Sequence, residues 1–325
     1  MPMKTPKFWL HKNFIAKALT PLSLVYQVMA WFDDARQEPQ KVSKAVICIG
    51  NITMGGSGKT PVALAIGKLL QEMHVEFAYL SRGYLSKKNQ FGFVDKEKSM
   101  SCDVGDEPLI LADVAPTFVA KDRLQGARAI EKNRHLQVIV LDDGMQNNSL
   151  KKDLTILVID GKIKFGNEFL FPAGPLRESV ESGLQKTDFV VVVGKADEEL
   201  REILAGKKII LADIKTKNLA NFKGQKLLAF CGLAYPDKFF SFLEDQGLDV
   251  VDKKYFMDHH CYKISEIEAL ILEAKKQGAK LVTTKKDWVK FPLNFKRKIE
   301  YLDIELELEN KDFIKGEIQK IIKKK

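Results

Sequence analysis

A glycine-rich segment between a predicted strand and a predicted helix constrains this chain more than any other feature. The apolar residues 46–49 predict a buried strand, and the apolar positions within residues 62–70 predict a helix. Between them, residues 55–60 read GGSGKT. Glycines let successive backbone N–H groups converge at a helix N-terminus, which creates a binding site for phosphate. The segment therefore predicts a P-loop.

The P-loop pattern assigns a role to each of its residues. Lys59 would reach the β- and γ-phosphates of a nucleotide, and the Thr60 hydroxyl would bind Mg²⁺. Thr53 replaces the first glycine of the usual pattern, but the preceding strand and following helix favour a P-loop over a plain glycine-rich turn. The predicted nucleotide-binding residues are Thr53, Met54, Gly55, Gly56, Ser57, Gly58, Lys59 and Thr60.

A second buried strand, residues 137–141, leads into Asp142, Asp143 and Gly144. P-loop proteins use an apolar strand that ends in aspartate to place a carboxylate beside Mg²⁺. Two adjacent carboxylates are also costly unless a cation lies nearby. An Asp-Gly pair alone could mark a simple turn. The upstream P-loop favours a metal site.

The segment Gly105-Asp106-Glu107-Pro108 precedes a predicted helix, residues 109–114. It places two more carboxylates near the first turn of that helix. Acidic residues at this position are also common partners of the helix dipole. From this pattern alone, both interpretations stay open.

The order of strands and helices predicts the fold class and the domains. Near-continuous apolar strands, such as residues 154–159 and 189–193, are typical of a parallel sheet covered on both faces. A polar run at residues 212–221 predicts a domain boundary. We therefore expect an α/β fold in which residues 35–214 form a P-loop NTPase-type, mostly parallel sheet flanked by helices. A smaller α/β domain would occupy residues 215–325.

Residues 1–34 predict a basic amphipathic helix that contacts a membrane. Lysines and aromatic residues alternate at the start, and residues 18–32 carry no charge. This run is shorter than the roughly 20 apolar residues of a membrane span and contains polar residues. No small-residue cleavage site of a signal peptide follows it. The mixture of lysines and aromatic residues favours a helix that lies in the membrane interface. The alternative is a helix that packs on the protein's own core.

The composition narrows the class of partner. The formal net charge of +9 suits an anionic partner such as nucleic acid, an acidic membrane or a phosphorylated substrate. The sequence has no basic strands interleaved with aromatic residues, so we expect no nucleic-acid partner. The four cysteines lack the spacing of a disulfide framework or a zinc site. Reduced thiols and a nucleotide site together predict a cytosolic location.

These motifs resemble, in type and in order, those of the tetraacyldisaccharide 4'-kinase family. The resemblance covers nearly the whole chain, and the family also carries threonine at the position of Thr53. Many matches in one order are far more specific than a P-loop alone. The matching segments are Gly50-Asn51-Ile52-Thr53, Ser81-Arg82-Gly83-Tyr84, Gly105-Asp106-Glu107-Pro108, Asp142-Asp143-Gly144, Phe171-Pro172-Ala173-Gly174-Pro175-Leu176-Arg177-Glu178, Ala229-Phe230-Cys231-Gly232, Asp258-His259-His260 and Thr283-Thr284-Lys285-Lys286-Asp287.

One position departs from the family pattern. The family reads D-D-G-x-Q-H after the aspartates, whereas here Asn147 follows Gln146. An amide can replace the hydrogen bonds of an imidazole but cannot be protonated as an imidazole can. We therefore do not expect a catalytic role at this position.

The resemblance implies a function and a location. The expected activity is ATP-dependent phosphorylation of the 4'-hydroxyl of a tetraacyldisaccharide 1-phosphate, the lipid A precursor of lipopolysaccharide. ATP and Mg²⁺ are the implied cofactors, and nucleotide and sugar would meet between the two domains. The N-terminal segment would lie on the cytoplasmic face of the bacterial inner membrane as a peripheral or monotopic contact.

The resemblance also implies catalytic roles. Lys59 would stabilise the transferred phosphoryl group, while Thr60, Glu107 and Asp142 or Asp143 would hold Mg²⁺.

Asp106 is our expected general base, and it would work with His259, as an aspartate and a histidine are thought to do in the family. A His–Asp pairing would hold the carboxylate ionised and oriented. Asp142 and Asp143 remain rival bases. Read alone, His259 and His260 suit a structural or metal-binding role equally well.

Three arginines are candidates to bind the phosphate of the lipid: Arg82, Arg123 and Arg177. A guanidinium group matches the geometry of a phosphate through paired hydrogen bonds. Arg177 lies in a long loop, residues 166–178, and long loops in compact domains are usually functional.

The main rival from another class is a P-loop ATPase switch that docks on membranes. It would share the P-loop, the aspartate strand and the basic N-terminus. It would not need the loop at residues 172–178 or the segment at residues 258–260. ATP hydrolysis that depends on a lipid disaccharide acceptor would separate the two.

Overall fold

The computed structural model describes residues 6–35, 37–83 and 91–325. Residues 1–5 of the predicted N-terminal segment and Tyr84 lie outside these ranges. The strands are β1 (Ala45–Gly50), β2 (Phe77–Ser81), β3 (Gly92–Phe93), β4 (Thr117–Val119), β5 (Val138–Asp142), β6 (Leu154–Asp160), β7 (Phe189–Val193), β8 (Lys208–Thr216), β9 (Lys226–Cys231), β10 (Asp249–Tyr255), β11 (Lys280–Thr284), β12 (Glu300–Leu302) and β13 (Ile304–Leu308). The helices are α1 (Phe14–Ala35), α2 (Lys59–Glu72), α3 (Ser101–Val104), α4 (Asp106–Leu111), α5 (Arg123–Glu131), α6 (Val180–Gln185), α7 (Glu198–Ile203), α8 (Pro236–Asp245), α9 (Ile264–Lys276), α10 (Lys285–Trp288), α11 (Leu293–Lys296) and α12 (Lys311–Ile322).

Within the described residues, the larger sheet has nine strands in the order β13-β8-β7-β6-β1-β5-β2-β4-β3. Its strands pair in parallel except at the two ends, where β13 runs antiparallel to β8 and β3 antiparallel to β4. The predicted mostly parallel α/β fold is confirmed. Ile49 of β1 pairs with Asp142 of β5, so the P-loop and the aspartate pair leave the sheet at neighbouring strand ends.

Both faces of the larger sheet are buried, which explains why its strands are apolar almost without interruption. Ile47 and Ile49 face one core, which also contains residues of α2. Val46 and Cys48 face the opposite core, which includes α5. Side chains of a strand alternate between its two faces, so a doubly covered strand needs apolar residues at every position.

The smaller sheet contains four parallel strands in the order β10-β9-β11-β12. Helix α8 contributes Phe240 and Leu243 to the core on one face. Helix α9 contributes Ile267 and Leu270 to the core on the other. The alternation of strand and helix predicted for this part of the chain therefore builds a second α/β layer structure.

The end of the chain returns to the larger sheet, so the predicted smaller domain of residues 215–325 extends too far. Strand β13 pairs with β8. Ile314, Ile318 and Ile321 of α12 are buried in the same core as α2. The end of the chain is rich in lysine, but isoleucines recur at every third or fourth position of α12, and these isoleucines pack on the sheet.

Helix α1 rests on the protein by one face only. The Ser23 hydroxyl of the helix is buried and donates to the Leu170 carbonyl at 2.8 Å. Before the helix begins, Trp9 Nε1 donates to the Pro172 carbonyl at 3.1 Å. Several large apolar side chains of the helix are exposed instead. These exposed residues are Phe14, Ile15, Leu22, Leu24, Val25, Val28, Met29 and Phe32. In the part of the chain that the structure describes, no helix is both long enough and apolar enough to cross a bilayer.

Gly67 marks the close approach of α2 to β2, which yields a stability prediction. A Cβ atom at this position would lie 1.9 Å from the hydroxyl oxygen of Tyr79, which is buried and donates to the Ala63 carbonyl at 2.9 Å. We expect Gly67→Ala to lower the free energy of unfolding by about 1–3 kcal/mol, because overpacking outweighs the helix propensity of alanine. Urea denaturation followed by circular dichroism measures the change.

Gly316 in α12 provides the matched control. Apart from the helix's own backbone and the two adjacent residues, no atom of the described residues lies within 4 Å of a Cβ built there. Gly316→Ala should therefore raise the free energy of unfolding by about 0.5–1 kcal/mol. Equal effects of the two substitutions would contradict the tight packing at Gly67.

Candidate active site

The P-loop, residues 53–60, joins β1 to α2 with two glycines in the left-handed region. Gly55 has φ = 107°, and Gly58, which precedes the first residue of α2, has φ = 90°. Residues with a Cβ atom rarely adopt these angles. The backbone therefore turns sharply into the helix, as expected for a phosphate site at a helix N-terminus.

Asn51 ties the P-loop together, a role that the sequence analysis missed. Its side-chain amide donates to the Thr53 carbonyl at 2.6 Å and to Thr53 Oγ1 at 3.2 Å, and its Oδ1 accepts from Lys59 Nζ at 3.0 Å. The Met54 N–H donates to the Pro175 carbonyl at 2.7 Å. Threonine in place of the first glycine thus serves as a hydrogen-bond partner that holds the loop.

Asp142 is buried at the end of β5 beside Thr60. Its Oδ2 lies 3.5 Å from Thr60 Oγ1, and its Oδ1 has no hydrogen-bond partner among the described residues. Burial, together with the nearby charges of Glu107 and Asp143, raises the pKa of Asp142 to about 8. A bound cation would relieve this repulsion.

The oxygen atoms around Asp142 fit Mg²⁺. Hydroxyl and carboxylate oxygens are the ligands that this ion prefers, and it often binds through one or two carboxylates while keeping water molecules and phosphates as further ligands. Within the described ranges, no three His, Cys, Asp or Glu side chains form a complete metal cage. A partial set of this kind suits an ion that arrives with a nucleotide.

Asp143 differs from Asp142 because two cations surround it. Arg177 donates to its two carboxylate oxygens at 3.0 and 3.3 Å, and Lys59 Nζ lies 3.7 Å away. Burial works to raise the pKa of Asp143, but Lys59 and Arg177 outweigh burial and hold it at about 2. Asp143 is therefore an ionised carboxylate engaged with the two basic groups.

The three predicted phosphate-binding arginines occupy different environments. Arg177 binds Asp143 and also donates to Gln146 Oε1 at 3.1 Å. Arg123 is buried, donates to the Ala120 carbonyl at 2.6 Å, and has its pKa lowered to about 10, chiefly by burial. Arg82 is exposed after β2.

Asp106 and His259 come together from different parts of the fold. Asp106 begins α4, and His259 follows β10 in the smaller sheet domain with φ = 57°. Their Oδ2 and Nδ1 atoms lie 2.9 Å apart. Burial works to raise the pKa of Asp106, but the hydrogen bond with His259 and the charge of Lys290 hold it well below its usual range. The predicted pairing of these two residues is present in the structure.

Lys286 and Lys290 flank this pair, and the sequence analysis assigned neither a role. Lys290 Nζ lies 3.5 Å from Asp106 Oδ2, and Lys286 Nζ lies 3.1 Å from His259 Nε2. Both belong to a segment more than 150 residues from Asp106 in the chain. The matching segment at residues 283–287 was the only signal in the sequence that could have identified Lys286.

Asn147 stands apart from these contacts. Its Oδ1 accepts from the Ser149 hydroxyl at 2.8 Å. The neighbouring Gln146 instead donates to the Asn51 carbonyl at 2.8 Å and accepts from Arg177. The residue that connects this turn to the P-loop is therefore Gln146.

Comparisons with a family model, with related sequences and with a solved structure all point to the same family. The family model for tetraacyldisaccharide-1-P 4'-kinase matches residues 15–323. A tetraacyldisaccharide 4'-kinase from Rhodospirillum rubrum is 40% identical over 296 residues, which cover 89% of each chain. One from Paramagnetospirillum magneticum is 37% identical over 308 residues, or 94% of each chain. A crystal structure of LpxK from Aquifex aeolicus, described as the "apo" form in complex with ATP, has a TM-score of 0.78 and 26% identity and covers 95% of this chain and 100% of its own.

Proposed function

Because the chain belongs to the tetraacyldisaccharide-1-P 4'-kinase family, we propose that it transfers the γ-phosphate of ATP to the 4'-hydroxyl of a tetraacyldisaccharide 1-phosphate. The observation that carries this proposal is the contact between Asp106 and His259. Asp106 is followed in the chain by Glu107, and burial and the charge of Glu107 raise the pKa of Asp142 beside the P-loop. An ionised, buried carboxylate that a histidine holds in place can accept a proton from a sugar hydroxyl. A P-loop switch would not need this residue pair from two domains.

In the proposed reaction, the hydroxyl oxygen bonds to the γ-phosphorus as the bond to the β-phosphate oxygen breaks. The hydroxyl proton passes to Asp106. Lys59 and the N–H groups of the P-loop stabilise negative charge on the transferred group. Asp143 and Arg177 keep the Lys59 ammonium in position through their mutual contacts.

Mg²⁺ would be held by Thr60, Asp142 and Glu107, with Asp143 as a further acidic neighbour. The unpartnered Oδ1 of Asp142 and its raised pKa support this assignment. When bound, the ion would supply positive charge that stabilises the negative charge of the phosphates.

The proposed activity is tested by label transfer. Purified protein is incubated with ATP labelled at the γ-phosphate and a tetraacyldisaccharide 1-phosphate in detergent. We expect the label to appear in the lipid, with little ATP hydrolysis when the lipid is omitted. Hydrolysis at the same rate without lipid would instead support the ATPase switch.

Arg123, Arg177 and Arg82 would bind the 1-phosphate of the substrate in this proposal. The three arginines differ in exposure and in their contacts, so we expect them to contribute differently to phosphate binding. The guanidinium of Arg82 is exposed, whereas those of Arg123 and Arg177 already contact protein oxygens. Arg82 therefore has the most freedom to approach a phosphate from solvent.

We further propose that α1 contacts the cytoplasmic face of the inner membrane. The outward apolar face of the helix and the exposed Lys7 and Lys17 support an interfacial position, because apolar side chains enter the lipid while lysines meet anionic headgroups. The location of this kinase would then match that of its lipid substrate.

Val25→Glu tests the membrane contact. Val25 is 57% exposed on the outward face of α1. Replacing it removes an apolar group worth about 1.5–3 kcal/mol on full burial, so we expect about tenfold weaker partitioning into vesicles of phosphatidylethanolamine and phosphatidylglycerol. Vesicle flotation measures the bound fraction.

Gln27→Glu is the control because it adds the same charge at an exposed polar position of the same helix. Its partitioning should stay within about twofold of the unaltered protein. If both variants bind vesicles like the unaltered protein, α1 is not the membrane contact.

A further inference from the structure

Lys286 lies behind the Asp106–His259 pair and contacts its imidazole ring. The Nζ atom of Lys286 is 3.1 Å from His259 Nε2 and 3.1 Å from Asp258 Oδ1. The other ring nitrogen, Nδ1, faces Asp106 Oδ2 at 2.9 Å. These contacts form a chain of four groups: Asp258, Lys286, His259 and Asp106.

Lys286, the lysine among these four groups, carries a positive charge. Burial works to lower the pKa of Lys286, but the carboxylates of Asp258, Glu107 and Asp106 outweigh it and raise the pKa above its ordinary value. An ammonium group has donors only, so the atom that it contacts must accept a hydrogen bond. Nε2 of His259 is therefore the acceptor nitrogen of the ring.

The assignment of Nε2 as the acceptor determines which ring nitrogen of His259 carries the proton. A neutral imidazole has one donor and one acceptor nitrogen, so the proton of His259 resides on Nδ1. Nδ1–H then donates to Asp106 Oδ2, which lies 2.9 Å away. Each contact in the chain pairs a donor with an acceptor.

We propose that Lys286 is a positioning residue for phosphoryl transfer, which holds His259 as the Nδ1–H tautomer that donates to Asp106. The proposal rests on the proposed function because it takes Asp106 as the general base. With Nε2 occupied by an ammonium, the ring acts as a fixed donor and not as a second base. Lys286 itself does not touch the substrate.

The turn that carries Lys286 is anchored in the smaller sheet domain. Thr284 Oγ1 accepts from the Asp287 N–H at 3.1 Å and caps α10. The buried Asp287 carboxylate accepts from the Gly232 N–H at 2.9 Å and pairs with Lys290 at 2.9 Å. This anchoring keeps the Lys286 ammonium in place, so that it can hold the orientation of the His259 ring.

The tautomer can be observed directly in the full-length protein. Nitrogen-15 NMR of ring-labelled histidines distinguishes Nδ1–H from Nε2–H, and loss of one set of signals in His259→Gln assigns the resonances. We expect Nδ1–H in the unaltered protein and a shift toward Nε2–H in Lys286→Met. An Nε2–H ring in the unaltered protein, or an unchanged spectrum in Lys286→Met, would overturn the proposal.

Kinetics provide the second readout. We expect Lys286→Met to lower kcat by about 10- to 100-fold, part of the typical contribution of a general base, with KM for ATP within about twofold. Lys286→Arg should recover part of kcat because a guanidinium can still donate to Nε2. An unchanged kcat in Lys286→Met would contradict the positioning role.

Lys285→Met is the matched control. Lys285 is adjacent in the chain but pairs with Asp113 at 2.7 Å. It should keep kcat and the histidine spectrum of the unaltered protein, and an equal loss in this variant would count against Lys286.

If Lys286→Met fails to fold, the spectra of the unaltered protein and of Lys286→Arg still test the tautomer of His259. Absence of label transfer by the unaltered protein would refute the proposed function, whereas the NMR result would stand independently.

Discussion

Asp106→Asn is expected to lower kcat by about 10²- to 10⁴-fold while Mg·ATP still binds. Asparagine keeps the size of the side chain and can still contact His259, but it cannot accept a proton. The substitution also removes the negative charge that Lys290 and His259 surround. Label transfer to the lipid measures kcat, and equilibrium titration with a fluorescent ATP analogue measures binding.

The effect of Asp106→Asn on kcat and on nucleotide binding distinguishes a general base from a metal ligand at this position. Asp103→Asn makes the same chemical change in the preceding short helix, α3, and should leave both quantities within about twofold of the unaltered protein. Loss of nucleotide binding in Asp106→Asn would place Asp106 in the metal site. Asp142 or Asp143 would then become the candidate base.

Lys59→Ala is expected to lower kcat by about 10²- to 10³-fold without loss of the fold. Lys59 is the only lysine in the P-loop segment of residues 53–60, and it lies 3.0 Å from Asn51 Oδ1 and 3.7 Å from Asp143. Its ammonium would stabilise the negative charge on the transferred phosphoryl group. The measurement is single-turnover label transfer at saturating ATP, together with thermal unfolding.

Lys68→Ala is the control because Lys68 lies on the same helix, α2. Its ammonium pairs with Glu305 of β13, away from the P-loop. We expect normal kcat and at most a small loss of stability, since partly exposed ion pairs contribute little. Near-normal activity in Lys59→Ala would remove Lys59 from the proposed mechanism.

Local sequence patterns were sufficient for the elements that build the nucleotide site. Apolar runs marked β1 and β5, and the Gly-Lys-Thr ending marked the turn into α2. Strand and helix periodicity and the backbone freedom of glycine act over a few residues, so a sequence displays them directly. The family resemblance added what local patterns could not, namely the pairing of Asp106 with His259.

The N-terminal helix α1 packs on the protein by one face, which was the alternative in the sequence analysis, and its membrane contact stays a proposal. One narrow face of α1, including Ser23, rests on the loop at residues 166–178, while Val25 and its apolar neighbours face outward. Because residues 18–32 carry no charge, the sequence of α1 does not reveal which side of the helix meets the protein. That choice depends on the shape of the surface that receives it.

By itself, the sequence determined the α/β class, the P-loop and the candidate carboxylates, because these follow from short-range patterns of size, polarity and backbone freedom. Only the tertiary structure decided that β13 and α12 return to the larger sheet. It also decided that Arg177 binds Asp143 and that Lys286 contacts His259. These partners lie far apart in the chain or on different elements, so their contacts depend on how sheets and helices pack and not on any local pattern.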